Sequence, residues 1–156
     1  MIDFSNLLSR DRVFADLAGE SRQGVFRKLS EELSDAVEID SRLILEALIE
    51  RERLGSTAVG NGVCIPHVRM PDLAQPIGVF ARLATPVDFD AMDERHCDLV
   101  FMLLAPECED SSHLRALAQV SRAFRQADLR QALRDANTPG KIATLLGLQM
   151  EQGQAA

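Results

Sequence analysis

CDLVFMLL, residues 97–104, decides the architecture, because Leu99, Val100, Phe101, Met102, Leu103 and Leu104 carry apolar side chains to both faces of an extended chain. Alternate residues of a strand point to opposite sides of its sheet. A strand apolar throughout therefore belongs in the middle of a sheet covered by helices on two sides. Met102 within it is core. Upstream, Ile77 to Leu83 reads as a second strand bracketed by Pro76 and Pro86, with Asp88 to Arg95 connecting the two. Downstream, Pro106 to Ser112 is a polar loop leading into a helix with Leu114, Leu117, Ala118, Ser121 and Phe124 along one side. With Asp110 as its N-cap, Ser111, Ser112 and His113 are the first helical residues, and their amides have no partner inside the helix. Such an end attracts anions. A further amphipathic helix is suggested by Leu129, Ala132, Leu133 and Ala136, and another by the cap-plus-proline pair Thr138-Pro139 followed by Ile142, Leu145 and Leu146.

Towards the amino terminus, Val13-Phe14 seeds a short edge strand. From Ser21 the pattern turns helical, with Val25, Phe26, Leu29 and Leu33 on one stripe and Arg27, Lys28, Glu31 and Glu32 facing away. A second helix starts at Asp40-Ser41, both good caps. Its Leu43, Ile44, Leu45, Leu48 and Ile49 cover so much of the circumference that it should be largely buried. The order strand, two helices, three strands, then helices indicates an α/β sandwich.

Residues 1–150 fit one domain large enough to bury a core, with 151–156 as a flexible tail that has little to bury. At 46% hydrophobic the composition is that of a soluble globular protein, and no apolar run is long enough to cross a bilayer. Met1-Ile2-Asp3 opens without an export signal. Three cysteines, Cys64, Cys97 and Cys108, fit reduced thiols in a cytoplasm better than a disulfide framework. A net charge of −7, with scattered basic residues, argues against a nucleic-acid partner. It serves solubility or the attraction of a basic protein partner.

The chemistry gathers in RERLGSTAVGNGVCIPHVR, residues 51–69. Gly55, Gly60 and Gly62 allow positive φ and close approach to a ligand. Val63, Cys64 and Ile65 form a brief buried strand, and Pro66 pushes Ile65 towards an extended conformation. His67 is thereby left at the mouth of an element. A neutral imidazole is nucleophilic near pH 7, since its unperturbed pKa is about 6.5. His67, His96, His113 and the three cysteines supply metal-ligand types, but none stand as C-x-x-C or H-x-x-x-H, so the spacing carries no metal signature. His96 reads as structural or exposed. GNGVCIPH lacks the G-K-[ST] of a nucleotide-binding loop, and no cofactor is implied.

Arg51-Glu52, Gly55-Ser56-Thr57, Gly60-Asn61-Gly62 and Ile65-Pro66-His67 resemble the active-site segment of the type-2 IIA components of the phosphoenolpyruvate-dependent phosphotransferase system. The likeness runs from about Phe4 to Leu146 and is nearest to the nitrogen-regulatory IIA proteins, which are similar to the mannitol and fructose IIA domains. It implies a three-layer α/β/α sandwich with a mixed sheet flanked by helices. It also implies a cytoplasmic histidine phosphoryl carrier rather than a free-standing turnover enzyme. By that resemblance His67 accepts the phosphoryl group from an HPr-like protein, His113 stabilises it, and Arg51 contacts its oxygens. Phosphoryl transfer asks for donors aimed at the equatorial oxygens. The candidates are Ser56, Thr57, the amides of Gly60, Asn61 and Gly62, and Ser112. Val68 and Arg69 stand where the family commonly has glycine and lysine, and a β-branched residue restricts the backbone there. Three functions follow: a regulatory phosphocarrier that binds target proteins according to its phosphorylation state, a sugar-specific IIA passing phosphate to a IIB domain, and a non-catalytic binding module.

Overall fold

The computed structural model describes residues 2–107 and 111–149. Among these, six strands and five helices follow in the order β1 (Val13–Leu17), α1 (Arg22–Val37), α2 (Ser41–Arg53), β2 (Ala58–Gly60), β3 (Val63–Cys64), β4 (His67–Met70), β5 (Ile77–Val87), β6 (Cys97–Pro106), α3 (Ser112–Phe124), α4 (Ala127–Asp135) and α5 (Pro139–Leu145). The strands form one mixed sheet in the order β1-β5-β6-β3-β2, with β4 also paired to β6. β1 lies at the edge, parallel to β5; β5 and β6 are antiparallel, and β3 and β4 both run parallel to β6. Asp110 as helix cap, Cys108 and the tail 151–156 lie outside the described residues.

The alternation along β6 builds two cores. Leu99, Phe101 and Leu103 join α3, α4, α5 and the amino-terminal Phe4, Leu7 and Leu8 on one side. Val100, Met102 and Leu104 join Val25, Phe26, Leu29, Leu33, Ile44 and Leu48 of α1 and α2 on the other. Every residue from Leu99 to Ala105 is fully buried. At ~1.5–3 kcal/mol for each large apolar side chain removed from water, this one strand is a major source of the fold's stability.

Local chemistry sets the helix ends. The Ser21 hydroxyl accepts from Gly24 N at 3.0 Å, Asp40 accepts from Arg42 N at 2.9 Å, and Thr138 accepts from Lys141 N at 3.1 Å. Each satisfies an amide that the helix cannot. α1 stops at Glu38, whose φ of 59° breaks the spiral.

Several details depart from the sequence expectations. α2 is less buried than its apolar content suggests: Ile44 and Leu48 are enclosed, but Leu43 is 55% exposed, since α1 covers only one of its faces. The buried stripe of α3 is Ala116, Val120, Ala123 and Phe124, rotated from the anticipated one, and Leu114 is exposed. β5 continues through Pro86 to Val87, which is tolerated because its register with β6 breaks between Arg82 and Val87 and no ladder amide is needed there. His67 does stand at the mouth of an element, as the first residue of β4; Pro66 has no amide to donate, but its carbonyl accepts from Leu103 N at 2.8 Å, so the chain stays docked on β6.

Candidate functional site

Strand parity positions His67. Val63 and Ile65 face the α3 core while Cys64 faces the α1–α2 core. His67, two residues beyond Ile65, therefore points to the α3 side. There it meets His113, in the first turn of α3, with ring centroids 5.8 Å apart and ring planes at 49°. Residues 46 positions apart in sequence are thus brought together as anticipated.

The hydrogen bonding of His67 fixes its tautomer. Nδ1 lies 2.7 Å from the carbonyl of Ile65. A carbonyl can only accept, so Nδ1 carries the proton and Nε2 holds the lone pair. Partial burial lowers the pKa of His67; the Ile65 carbonyl works against this, and the charge of Arg51 lowers it further. His113 is also lowered, first by burial, then by His67 and Arg69. Its Nδ1 is buried without a hydrogen-bond partner. The pair is consequently two neutral rings near pH 7, one with a nucleophilic nitrogen and the other with an unsatisfied polar atom beside it.

Around the rings lie groups suited to an anion. Arg51, in the last turn of α2, donates to Gly55 O at 3.0 Å, which anchors one nitrogen of its fork close to the turn. No hydroxyl caps the start of α3: the Ser111 hydroxyl is held by Arg115 and accepts from none of the first-turn amides. Ser112 sits in that turn immediately before His113.

The other anticipated phosphate contacts have different neighbours. Ser56 donates to Phe89 O at 2.5 Å and accepts from Ala58 N at 3.1 Å. Thr57 is buried and donates to the Glu52 carboxylate, which also takes Thr57 N at 3.1 Å. Gly60, Asn61 and Gly62 turn the β2–β3 hairpin at the far end of β3. With Val63 opposite Leu99 and His67 opposite Leu103, five steps of extended chain lead from Gly62 to His67, roughly 16 Å at about 3.3 Å each. Asn61 N donates to Asp93 at 3.0 Å, and Asn61 O accepts from Arg134, itself bonded to Asp98. The structure sets His67 against His113, brings the charge of Arg51 within reach of His67, and leaves that hairpin turn apart.

Sequence reasoning assigned no separate role to Glu52. Its buried carboxylate ties the α2 end to Thr57, stands near Arg22 at 3.5 Å, and its charge reaches His67. Arg69 was read only as a departure from the family, yet its charge reaches His113. Val68 is partly buried in β4 and is not at positive φ, so a β-branched residue fits this backbone without strain. His96 is exposed. Cys64 and Cys97 are buried free thiols, Cys97 being pushed up to about 12 chiefly by burial. No helix among the described residues is long and apolar enough to cross a membrane.

Residues 6–147 match the family described as phosphoenolpyruvate-dependent sugar phosphotransferase system, EIIA 2. A nitrogen regulatory protein of Bradyrhizobium diazoefficiens is 38% identical over 144 residues, covering 92% of this chain and 94% of that one. A fructose-specific EIIA component of Haloferax volcanii is 32% identical, with 96% and 97% covered. The crystal structure of the nitrogen regulatory protein IIA-Ntr from Neisseria meningitidis superposes with a TM-score of 0.85 at 31% identity, over 90% of this chain and 96% of that one. With the two-core mixed sheet and the facing histidines already in place, these likenesses lead to one conclusion: the chain belongs to the PTS EIIA type-2 family and is similar to its nitrogen-regulatory IIA-Ntr members.

Proposed function

We propose that this protein is a cytoplasmic phosphocarrier of the nitrogen-related branch of the phosphotransferase system. His67 Nε2 attacks the phosphorus of a phosphohistidine on an HPr-like donor. The N–P bond of the donor breaks as the new one forms, and the donor imidazole keeps the released electron pair. The observation that carries this reading is the His67–His113 pair, with Nδ1 of His67 committed to Ile65 and Nε2 left as the nucleophile. His113 and Arg51 hold the transferred oxygens, and the first-turn amides of α3, with Ser112, offer further donors. Glu52, Ser56 and Thr57 position the segment that leads to the site. The added phosphoryl group brings about two negative charges and strong acceptors to one face. Target proteins that bind this face therefore distinguish the two forms.

Incubation with phosphoenolpyruvate, enzyme I and HPr-like donors tests the reading. Acid-labile label on the wild type and none on His67→Ala is the expected result. Label that persists in His67→Ala, or fails to reach wild type from any cognate donor, overturns it and leaves a non-catalytic binding module.

The similarity to a fructose-specific EIIA favours a second reading, in which the phosphoryl group moves on to a IIB domain in sugar transport. Transfer from labelled protein to purified IIB domains separates the two.

A further inference from the structure

A cavity of about 690 Å³ lies between α3, the amino-terminal segment at Asn6-Leu7 and the loop at Gln75-Pro76. Two arginines of α3, Arg115 and Arg122, line it. They stand seven residues apart on one helix face, about 10.5 Å along the axis at 1.5 Å per residue. Among the described residues no aspartate or glutamate lines the cavity, in a chain with 24 acidic side chains against 17 lysines and arginines. The cations are also underused. The Arg122 guanidinium makes no hydrogen bond or ion pair among the described residues, and Arg115 donates one nitrogen of its fork to the Ser111 hydroxyl.

Between the arginines the wall is rigid and polar. Asn6 and Gln119 exchange two amide hydrogen bonds, at 3.0 and 3.1 Å, and Gln119 also donates to Asp3 O at 3.0 Å. Leu7, Pro76 and Ala116 supply an apolar floor. A volume in the range of metabolite sites, a fixed amide shelf and two guanidinium forks with no carboxylate among the described lining residues fit a small polyanion. We infer that this cavity binds a small organic polyanion through Arg115 and Arg122, its anionic oxygens being those of phosphate or of clustered carboxylates. The site is separate from His67 but shares a helix with it. Ser112 lines the cavity and directly precedes His113, so a bound ligand abuts the first turn of α3.

Titration of the unphosphorylated full chain, followed by amide chemical shifts, tests this without relying on phosphoryl transfer. Inorganic pyrophosphate and citrate serve as the two probes, with sodium chloride at matched ionic strength as the reference. Saturable shifts at Gln75, Arg115, Gln119 and Arg122 are expected with at least one probe, and which one saturates identifies the phosphate or the carboxylate source. The double variant Arg115→Gln/Arg122→Gln should keep a dispersed spectrum and bind at least tenfold more weakly. Arg27→Gln/Arg95→Gln, which removes the same charge from exposed positions outside the cavity, should bind as wild type. Linear shifts with both probes, equal shifts with chloride, or equal weakening in the two double variants would overturn the assignment.

Discussion

The imidazole of His67 donates its Nδ1 hydrogen to the carbonyl of Ile65, two residues back along the same chain, at 2.7 Å. In the proposed reaction this bond leaves Nε2 as the nitrogen able to react. Phosphorylation should occur at Nε2, and nitrogen-coupled NMR of the phosphoprotein should report that isomer alone. A phosphoryl group at Nδ1 would require the bond to Ile65 to break first, and its detection would refute the assigned tautomer.

On the proposed mechanism, His113→Ala and Arg51→Gln remove different supports from the same phosphoryl group. Loss of one donor aimed at a developing anion costs on the order of 10²-fold in rate. Each variant should therefore accept label roughly a hundredfold more slowly, with the far-UV spectrum unchanged, since both side chains sit at the rim of the fold. Wild-type rates of labelling and of hydrolysis would remove the residue from the mechanism.

Acidity should act through the same two rings. Both histidines have pKa values lowered mainly by burial, so in the window from about 6.5 downward the unfolded chain binds more protons than the folded one. Their contribution to stability is complete above that value and is lost as pH falls through the window. Proton NMR titration should place both midpoints below 6.5. Arg51→Gln should raise the midpoint of His67, and Arg69→Gln that of His113, because each removes a nearby positive charge. A downward shift in either case contradicts the geometry.

Gly62→Ala tests the hairpin turn. Its φ is +76°, and an added Cβ would come within 2.5 Å of the Arg134 guanidinium and 3.0 Å of Asp98. The backbone alone costs about 1–2 kcal/mol for a residue with a side chain. Urea unfolding should show at least that loss. Labelling of the fraction still folded should proceed at the wild-type rate, because the turn lies far from His67; a slowed rate would tie it to the reaction.

Much of the fold was readable because apolar pattern dictates it. Leu99 to Leu104 could serve two cores only from the middle of the sheet, and Ser21, Asp40 and Thr138 announced their helices by chemistry that acts within three residues. What failed depended on distant neighbours. Leu43 and Leu114 are apolar, but among the described residues they remain largely exposed. Arg82 reads as an ordinary strand residue, yet it is buried and donates to Leu133 O at 3.0 Å, Ala136 O at 2.5 Å and Asp16 at 3.2 Å, linking α4 to the sheet edge. At the site, His67, His113 and Arg51 were singled out by resemblance to a family, and the fold sets the two histidines side by side. The separation of the glycine turn from His67 was not, because adjacency in sequence hides the length of an extended strand.

The pairing of His67 with Leu103 mounts the proposed acceptor ring on a strand whose residues Leu99 to Ala105 are wholly enclosed. Such a ring has little freedom to swing out and meet an incoming protein. Alignment must be achieved by the visitor, through how it lands and turns before the group changes hands, and productive collisions become a matter of the donor's orientation.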